Sequence, residues 1–382
     1  MLKYLLLILP LFITANLSFA NDALFDKLIK QEMDKANIPG LAVSVGKNGR
    51  LIFSKGYGFA NITTKKSVTT DTTFHIASIT KTITATAIIQ LVEQGKLALD
   101  APINRYIDFS ITNPHYPKEH ITVRHLLNHT SSISDKMAYE IDFRVKGRDS
   151  EIELEQLVKG YLLTEGEFYT ANKNFLDVKP GTRWSYSNIG YALLGYIVEQ
   201  IGEYDLRSFS AKHIFNPLQM HQTYWRIADT PVENTASPYV LVNNQLTKVA
   251  PVGFADWPAG MLRSTVKDIN IFATATANSG RYNNVSILKP EAVLEMLNTK
   301  AIEGLPAWSP RQGLGWGETM LNGQSTISHW GGDPGVFTAT YINPKTTTAV
   351  TILMNTSANK DTIGSLKAIA SALFNMVEAD NS

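Results

Sequence analysis

Hairpin signals near both ends of the chain constrain its fold more than any other sequence feature. Two pairs of apolar runs are each separated by a short turn: residues 41–45 with 51–59, and residues 336–343 with 347–355. The first pair flanks Asn48-Gly49, and both of these residues tolerate the positive φ angles of a tight turn. The pattern predicts two antiparallel hairpins, far apart in sequence.

Amphipathic helices flank the hairpins. Apolar residues recur at helical spacing at Phe25, Leu28, Ile29, Met33 and Ala36, and again at Leu366, Ile369, Ala370, Leu373, Phe374 and Val377. The simplest packing joins residues 21–100 and 313–382 in one antiparallel sheet flanked by these helices. Residues 101–312 then form a mainly helical inserted part. This is an α/β (α+β) architecture, and its site should lie where the two parts meet.

The first 20 residues have the composition of a cleavable signal peptide. Lys3 precedes an apolar run over residues 4–13, and Ser18-Phe19-Ala20 forms a small-x-small cleavage site. The run is too short to span a bilayer as a helix. We expect residues 21–382 to be the mature chain, periplasmic or secreted, with no membrane contact once the signal is removed.

Charge and cysteine content exclude several functions. The chain carries 35 Lys and Arg residues against 34 Asp and Glu residues, so it has no excess charge that would attract nucleic acid or an anionic membrane. It contains no cysteine, which excludes disulfides, thiolate catalysis and cysteine-ligated metals.

Three motifs supply the groups needed for acyl transfer through a serine ester: Ser78-Ile79-Thr80-Lys81, Tyr186-Ser187-Asn188 and His329-Trp330-Gly331. The Ser78 motif opens a helix over residues 79–94 that is apolar on almost every face, so Lys81 is expected to be buried in its first turn. Burial and the helix dipole both disfavour the ammonium there and predict a lowered pKa. Such a lysine could accept the serine proton. The alternative is that Ser78 only caps the helix and Lys81 reaches solvent.

Ser-x-x-Lys alone is a weak signal, because four further matches start at Ser44, Ser264, Ser286 and Ser357. The serious rival is Ser264 with Lys267, which also opens a helix. Lys267 shares a helix face with Asn270 and Thr274, which we interpret as a stripe exposed to solvent. Lys267 is therefore predicted to be an ordinary surface lysine.

The other two motifs contribute a phenol and an imidazole. Tyr186 lies in a turn before a helix over residues 191–201, and an ammonium beside its phenol would lower the pKa of Tyr186 and let it carry a proton. His329 ends a strand-like run, and Gly331 leaves room for a ligand at the backbone. A packing tyrosine and a structural histidine are the alternatives.

Two other site types have weaker support. His125 and His129 have the spacing of zinc ligands on one helix face, but no Glu follows His125 and no third ligand is evident. The Gly-x-Ser-x-Gly elbow of α/β-hydrolases does not occur. We expect neither a metal nor an organic cofactor.

The three motifs resemble those of the serine β-lactamases and penicillin-binding proteins, in the branch with class C β-lactamases, family VIII esterases and D-aminopeptidases. The likeness extends to ordered blocks at residues 74–81, 122–131, 180–199, 214–218, 260–265 and 329–335. This resemblance implies a β-lactamase/transpeptidase-like fold and a serine hydrolase. It also implies that His125 and His129 lie in a structural helix.

The resemblance also implies roles for individual residues. Ser78 matches the nucleophile that becomes acylated. Lys81 and Tyr186 match the pair that takes the serine proton and returns it to the leaving group, and which of them is the base stays open. Asn188 matches the residue that holds the lysine and a substrate carbonyl. The backbone N–H groups of Ser78 and Gly332 would form the oxyanion hole.

The third motif departs from the family pattern, in which Lys-Thr/Ser-Gly engages a substrate carboxylate. Neutral His329 is a weaker partner for an anion, and Trp330 would offer the substrate an apolar face. We therefore expect cleavage of a small-molecule ester, amide or peptide, as in an esterase or aminopeptidase. A penicillin-binding DD-peptidase or β-lactamase is the first alternative, and a non-catalytic penicillin-binding-type sensor is the second. The oligomeric state stays open.

Overall fold

Strands from both ends of the chain lie side by side in the structure, a computed structural model that describes residues 22–379. In chain order, β1 to β16 span Gly40–Lys47, Arg50–Asn61, Lys66–Ser67, Thr73–His75, Arg144–Lys146, Thr223–Tyr224, Tyr239–Val242, Gln245–Lys248, Val252–Phe254, Arg263–Thr265, Arg281–Tyr282, Val285–Ser286, Gly317–Leu321, Gln324–Asp333, Val336–Asn343 and Thr348–Met354. Seven of them form one antiparallel sheet in the order β13-β14-β15-β16-β1-β2-β3. The predicted sheet architecture is confirmed. The expected signal peptide, residues 1–20, lies outside the described residues.

Both predicted hairpins form within this sheet. At the β1–β2 turn, Asn48 and Gly49 have φ angles of 51° and 70°, the conformation that makes Asn-Gly favourable there. β15 and β16 form the second hairpin. β1 pairs with β16, with Val43 opposite Ile352, so the two ends of the chain meet in the middle of the sheet.

Helices cover both faces of the sheet. In chain order, α1 to α10 span Asp22–Ala36, Thr80–Glu93, Val123–Leu127, Lys136–Ile141, Leu154–Leu162, Asn188–Ile201, Leu206–Ser210, Val266–Ala277, Pro290–Leu297 and Lys360–Ala379. The stripes predicted on α1 and α10 pack on one face, where Ile29, Leu366 and Leu373 are fully buried. The opposite face is covered by α8 and leads towards the helical part.

The polar face of α8 differs from its prediction. Asn270 and Thr274 are fully buried, and Asn270 Nδ2 donates to Ser44 O over 3.1 Å, so they lie against the sheet rather than in solvent. The interpretation as an exposed stripe was wrong because polar residues that hydrogen bond inside a core have the same periodicity as exposed ones. Lys267 itself is a surface residue, with its Nζ 2.5 Å from an Asp71 carboxylate oxygen.

The segment expected to be mainly helical also contains short strands. It holds α3 to α9 together with β5 to β12, and its β6 and β10 form a small sheet with β4 in the order β4-β10-β6. Strands of two to four residues are too short to show an alternating pattern in sequence. Between residues 22 and 379, no helix is long and apolar enough to cross a membrane.

Candidate active site

Ser78 lies on a tight turn between β4 and α2. Ala77–Ile79 form a single 3₁₀ turn, and Ala77 has a φ of 46°, in the left-handed region that alanine rarely adopts. Thr80 Oγ1 donates to Ala77 O over 2.7 Å and holds this turn closed. The half-buried Ser78 side chain therefore enters the cleft between the sheet and the helical part from the turn immediately before α2.

Lys81 is fully buried one turn beyond Ser78. Its Nζ lies 2.7 Å from Asn188 Oδ1, 2.8 Å from Ala259 O and 3.3 Å from Ser78 Oγ. The side chain therefore points inward, and the alternative in which Lys81 reaches solvent does not hold. The first and second motifs meet at this amine.

Burial also governs the charge on Lys81. It lowers the pKa of Lys81 from 10.5 to about 7, while the carboxylates of Asp256 and Asp135 act in the opposite direction. The lowered pKa predicted from sequence is confirmed. A substantial share of the lysine is therefore neutral near pH 7, which an exposed lysine would not be.

Asp135 fixes the position of the second motif. Its carboxylate accepts hydrogen bonds from Ser187 Oγ (2.7 Å), Asn188 N (2.5 Å) and Ile189 N (3.2 Å). Ser187 in turn caps α6, because its Oγ accepts from Gly190 N. The helix starts at Asn188, three residues earlier than predicted, so the amide that contacts Lys81 lies on a rigid helical turn.

The pKa of Tyr186 shifts in the direction opposite to the prediction. The Lys81 ammonium lies 4.7 Å from the centre of the Tyr186 ring, and we expected it to lower the pKa of the phenol. Instead, burial raises the pKa of Tyr186 well above 10, and a hydrogen bond with Ser78 opposes this only in part. Tyr186 is therefore a neutral phenol that can pass on a proton.

His129, but not His125, supports this arrangement. His125 lies on α3, but His129 follows the helix with a φ of 61°, so the expected common helix is wrong for His129. His129 Nδ1 accepts from Ser187 N over 3.2 Å, and its ring lies 4.5 Å from that of Tyr186. His129 thus holds the tyrosine loop.

Between residues 22 and 379 no group of three or more His, Asp or Glu side chains could hold a metal ion.

β14 passes close to the Ser78 turn at Gly331. A Cβ at this position would lie 2.2 Å from Ile76 O and 3.1 Å from Ser78 N, so the approach requires glycine. Thr338 Oγ1, on the neighbouring strand, donates to Ile76 O over 2.9 Å. Gly332 is exposed with open space beside it, and its backbone borders the same cleft as Ser78.

The side chains of His329 and Trp330 lie on opposite faces of β14. Trp330 packs between Phe337 and Tyr341, with Lys367 of α10 over its ring. It also borders the cavity beside Ser78, where the Trp308 ring stacks on it at 5.3 Å. The alternation of side chains along a strand separates the indole from the imidazole of His329. His329 faces the cleft, and its Nδ1 lies 2.9 Å from Trp330 O.

The tautomer of His329 follows from that contact. A carbonyl oxygen can only accept, so Nδ1 carries the hydrogen and Nε2 is left as an acceptor. Burial and the nearby Lys81 lower the pKa of His329 to about 3, so the imidazole is neutral. An incoming carboxylate would meet a lone pair here rather than a donor.

Sequence reasoning missed several residues around Ser78 and Lys81. Asp135, Asp256 and Ala259 lie just outside the blocks that carry the resemblance, and Asp333 lies inside the block at residues 329–335. A single buried aspartate has no sequence pattern of its own. The only available signal was their position in or next to the blocks at residues 122–131, 260–265 and 329–335.

Two cavities open on either side of Ser78. The first, of about 220 Å³, includes Asp135, Tyr139, Asp142, Arg144, Phe254, Asp256 and Asp333 in its lining. The second, of about 350 Å³, includes His129, Trp184, Trp308, Gln312, His329 and Phe337. Ser78, Tyr186 and Gly332 border both, so a substrate that spans the two cavities would cross the serine hydroxyl.

The chain matches the family model described as Beta-lactamase over residues 25–374. Among curated relatives, Protein flp of Staphylococcus aureus (strain MW2) is 26% identical over 245 residues, which are 64% of this chain and 46% of flp. The match thus spans about half the length of such relatives.

Two solved structures share the fold over nearly the whole chain. The octameric penicillin-binding protein homologue from Pyrococcus abyssi has a TM-score of 0.73 at 24% identity, covering 94% of this chain and 77% of that one. The D-amino acid amidase from Ochrobactrum anthropi SV3 complexed with L-phenylalanine has a TM-score of 0.75 at 22% identity, covering 94% and 99%. At these identities the likeness concerns the fold, and the predicted β-lactamase/transpeptidase-like fold is confirmed.

Proposed function

The chain belongs to the beta-lactamase family, and from this premise we propose that it is a serine hydrolase that cleaves an ester or small amide through an acyl-enzyme on Ser78. The observation that carries the proposal is the position of Lys81, a buried amine of lowered pKa within 3.3 Å of the Ser78 hydroxyl. Such an amine next to a hydroxyl is the arrangement that activates a serine nucleophile.

Lys81 is the proposed general base. A neutral amine has two N–H groups and one lone pair. Asn188 Oδ1 and Ala259 O, at 2.7 and 2.8 Å, accept the two N–H groups, and the longer contact to Ser78 Oγ is left for the lone pair. The two fixed acceptors thereby orient the lone pair towards the proton that must leave.

Tyr186 is the proposed proton carrier to the leaving group. Its raised pKa makes the phenolate an unfavourable resting state, which argues against Tyr186 as the initial base. As a neutral phenol hydrogen-bonded to Ser78 and beside Lys81, it can donate to the departing oxygen or nitrogen and be reprotonated by the lysine. The Ser78 and Gly332 backbone N–H groups would stabilise the oxyanion.

The substrate is proposed to lack a carboxylate beside the scissile bond. Neutral His329 presents an acceptor where other members present a cation, so a β-lactam or D-Ala-D-Ala carboxylate would gain little there. The neighbour from Ochrobactrum anthropi is named as a D-amino acid amidase, which supports small ester or amide substrates for this chain. On the sequence signal in residues 1–20 we further propose that the hydrolase is exported.

Mass spectrometry of the intact protein tests the nucleophile. Incubation with p-nitrophenyl acetate or an alkyl fluorophosphonate is expected to add one acyl or phosphonyl group, and peptide mapping should locate it on Ser78. Steady release of p-nitrophenol would accompany the acetyl adduct. Label on a different residue would refute the proposal, and a stable adduct without turnover of any ester would favour the sensor.

The rate should rise with pH through the titration of Lys81. Only the neutral amine accepts a proton, and its pKa is about 7, so kcat/KM for an uncharged ester is expected to increase tenfold per pH unit below 7 and level off above 8. A profile measured from pH 5 to 9 checks this. A flat or falling profile would contradict Lys81 as the base.

The variant Asp256→Asn tests whether the rise in rate with pH comes from the titration of Lys81. The Asp256 carboxylate raises the pKa of Lys81, so its removal should shift the rising limb to lower pH. If Asp256 itself were the titrating group, the limb would disappear. Asp71→Asn, which changes an exposed carboxylate paired with Lys267, is the matched control and should leave the midpoint unchanged.

A further inference from the structure

Two side chains of α2 bind consecutive carbonyl groups of one segment. Lys81 Nζ donates to Ala259 O over 2.8 Å, and Thr84 Oγ1 donates to Pro258 O over 2.7 Å. Because Lys81 and Thr84 are one helical turn apart, they share a face of α2. Thr84 is fully buried and lines neither cavity beside Ser78, so its hydroxyl acts on the segment and not on a substrate.

The segment is a single 3₁₀ turn, Trp257–Ala259, and it lies between two helices. Pro258 is buried in this turn, and a Cβ at Gly195 of α6 would overlap its ring, so α6 packs directly against the turn. The helix α6 also carries Asn188, the other acceptor of Lys81. The turn thus separates the helix of the lysine from the helix of its second acceptor.

The chain that follows the turn is fixed without Thr84. His75 Nε2 donates to Gly260 O over 2.7 Å, and Leu262 N donates to Thr80 Oγ1 over 3.1 Å. Pro258 O is different, because within residues 22–379 it accepts from Thr84 Oγ1 alone. Besides Lys81 itself, the Thr84 hydroxyl is therefore the hydrogen-bond donor of α2 that holds the carbonyl groups of residues 258 and 259.

The position of these carbonyl groups matters for the orientation of Lys81. A buried carbonyl without a donor is unfavourable, so Pro258 O would turn towards another partner if the Thr84 hydroxyl were removed. Rotation of the peptide group between residues 258 and 259 would displace the next carbonyl, Ala259 O. Lys81 would then lose one of the two acceptors that orient its lone pair towards Ser78. A misplacement of about 1 Å can cost about 10²-fold in rate.

We propose that Thr84 is a positioning residue, whose hydroxyl holds Pro258 O so that Ala259 O stays within hydrogen-bonding distance of Lys81 Nζ. The inference rests on the proposed acyl-enzyme function, since it concerns the orientation of the general base. Thr84 acts through Lys81 and takes no part in the bond changes at Ser78.

The variant Thr84→Val tests the role of the hydroxyl. Valine keeps the branched shape and a similar volume, but it cannot donate to Pro258 O. The rate constant of Ser78 acylation by p-nitrophenyl acetate, measured from the pre-steady-state release of p-nitrophenol, is expected to fall about tenfold. The dissociation constant of the ester should change little. The rise of the rate with pH should move to lower pH, because the loss of an acceptor disfavours the ammonium form of Lys81.

Two further variants are the controls. Thr84→Ser keeps the hydroxyl and should restore the wild-type acylation rate. Thr86 is also fully buried in α2, but its Oγ1 donates over 2.8 Å to Thr82 O in the same helix. Thr86→Val therefore makes the same chemical change away from the turn, and it should keep the wild-type rate and pH profile. If Thr84→Val does not fold, Thr84→Ala compared with Thr84→Ser provides the same contrast.

Three results would overturn the inference. Acylation could be as fast in Thr84→Val as in Thr86→Val, Thr84→Ser could share the loss of rate, or the loss could lie in the dissociation constant of the ester rather than in acylation. If wild-type Ser78 is acylated and any of these results is found, the inference fails and the proposed function stands. If wild-type Ser78 is not acylated, the proposed function itself fails.

Discussion

Ser78→Ala is expected to lower kcat for an ester substrate by about 10⁶-fold, the size of loss found when a serine nucleophile is removed. Without the hydroxyl no acyl-enzyme forms, and only binding and oxyanion stabilisation remain. The half-buried side chain contributes little packing, so the variant should fold normally. Steady-state assays with p-nitrophenyl acetate, together with a thermal unfolding curve, provide the measurement.

The chain offers a matched control for this variant. Ser264 also opens a Ser-x-x-Lys sequence, but its Oγ is buried and lies 2.7 Å from Thr223 Oγ1, away from the cleft. Ser264→Ala should therefore retain acylation and turnover. If Ser78→Ala kept more than about one hundredth of the wild-type rate, or still acquired the acyl group, another residue would be the nucleophile.

The sheet could be predicted from sequence because its signals are local. Asn48-Gly49 requires a turn, and the runs on either side require strands whichever way the rest of the chain folds. The buried polar face of α8 could not be predicted from sequence, because the hydrogen bond from Asn270 to Ser44 O joins positions more than 200 residues apart. Tertiary partners of this kind leave no local pattern.

In the candidate site, too, local sequence signals could be interpreted correctly and effects of tertiary packing could not. The roles of Ser78 and Lys81 could be predicted because a lysine buried in the first turn of an apolar helix is unfavourable for stability. Its presence there therefore indicates a catalytic function. The Tyr186 prediction considered only the nearby ammonium, whereas burial outweighs that attraction. The sequence gives the alternation of a strand but not which of its faces meets Ser78, so the packing of Trp330 on Phe337 and Tyr341 could not be predicted.

Lys81→Met is expected to reduce the rate of Ser78 acylation by about 10²–10⁴-fold, the usual contribution of a positioned general base. Methionine is unbranched and fills a similar space, but it cannot accept the serine proton. Asn188 Oδ1 and Ala259 O would each lose a donor, which costs about 1–3 kcal/mol apiece and is offset by relief from burying an amine. The fold should survive, as thermal unfolding can establish, and the pH-dependent limb near 7 should vanish.

A double variant separates a base from a residue that only shapes the site. Since a base acts only through its nucleophile, adding Lys81→Met to Ser78→Ala should cause almost no further loss of rate. Lys267→Met is the matched lysine control, because Lys267 pairs with Asp71 at the surface and should leave activity unchanged. Independent, multiplicative losses in the double variant would mean that Lys81 acts mainly on substrate binding. A near-normal acylation rate in Lys81→Met would transfer the role of base to another group.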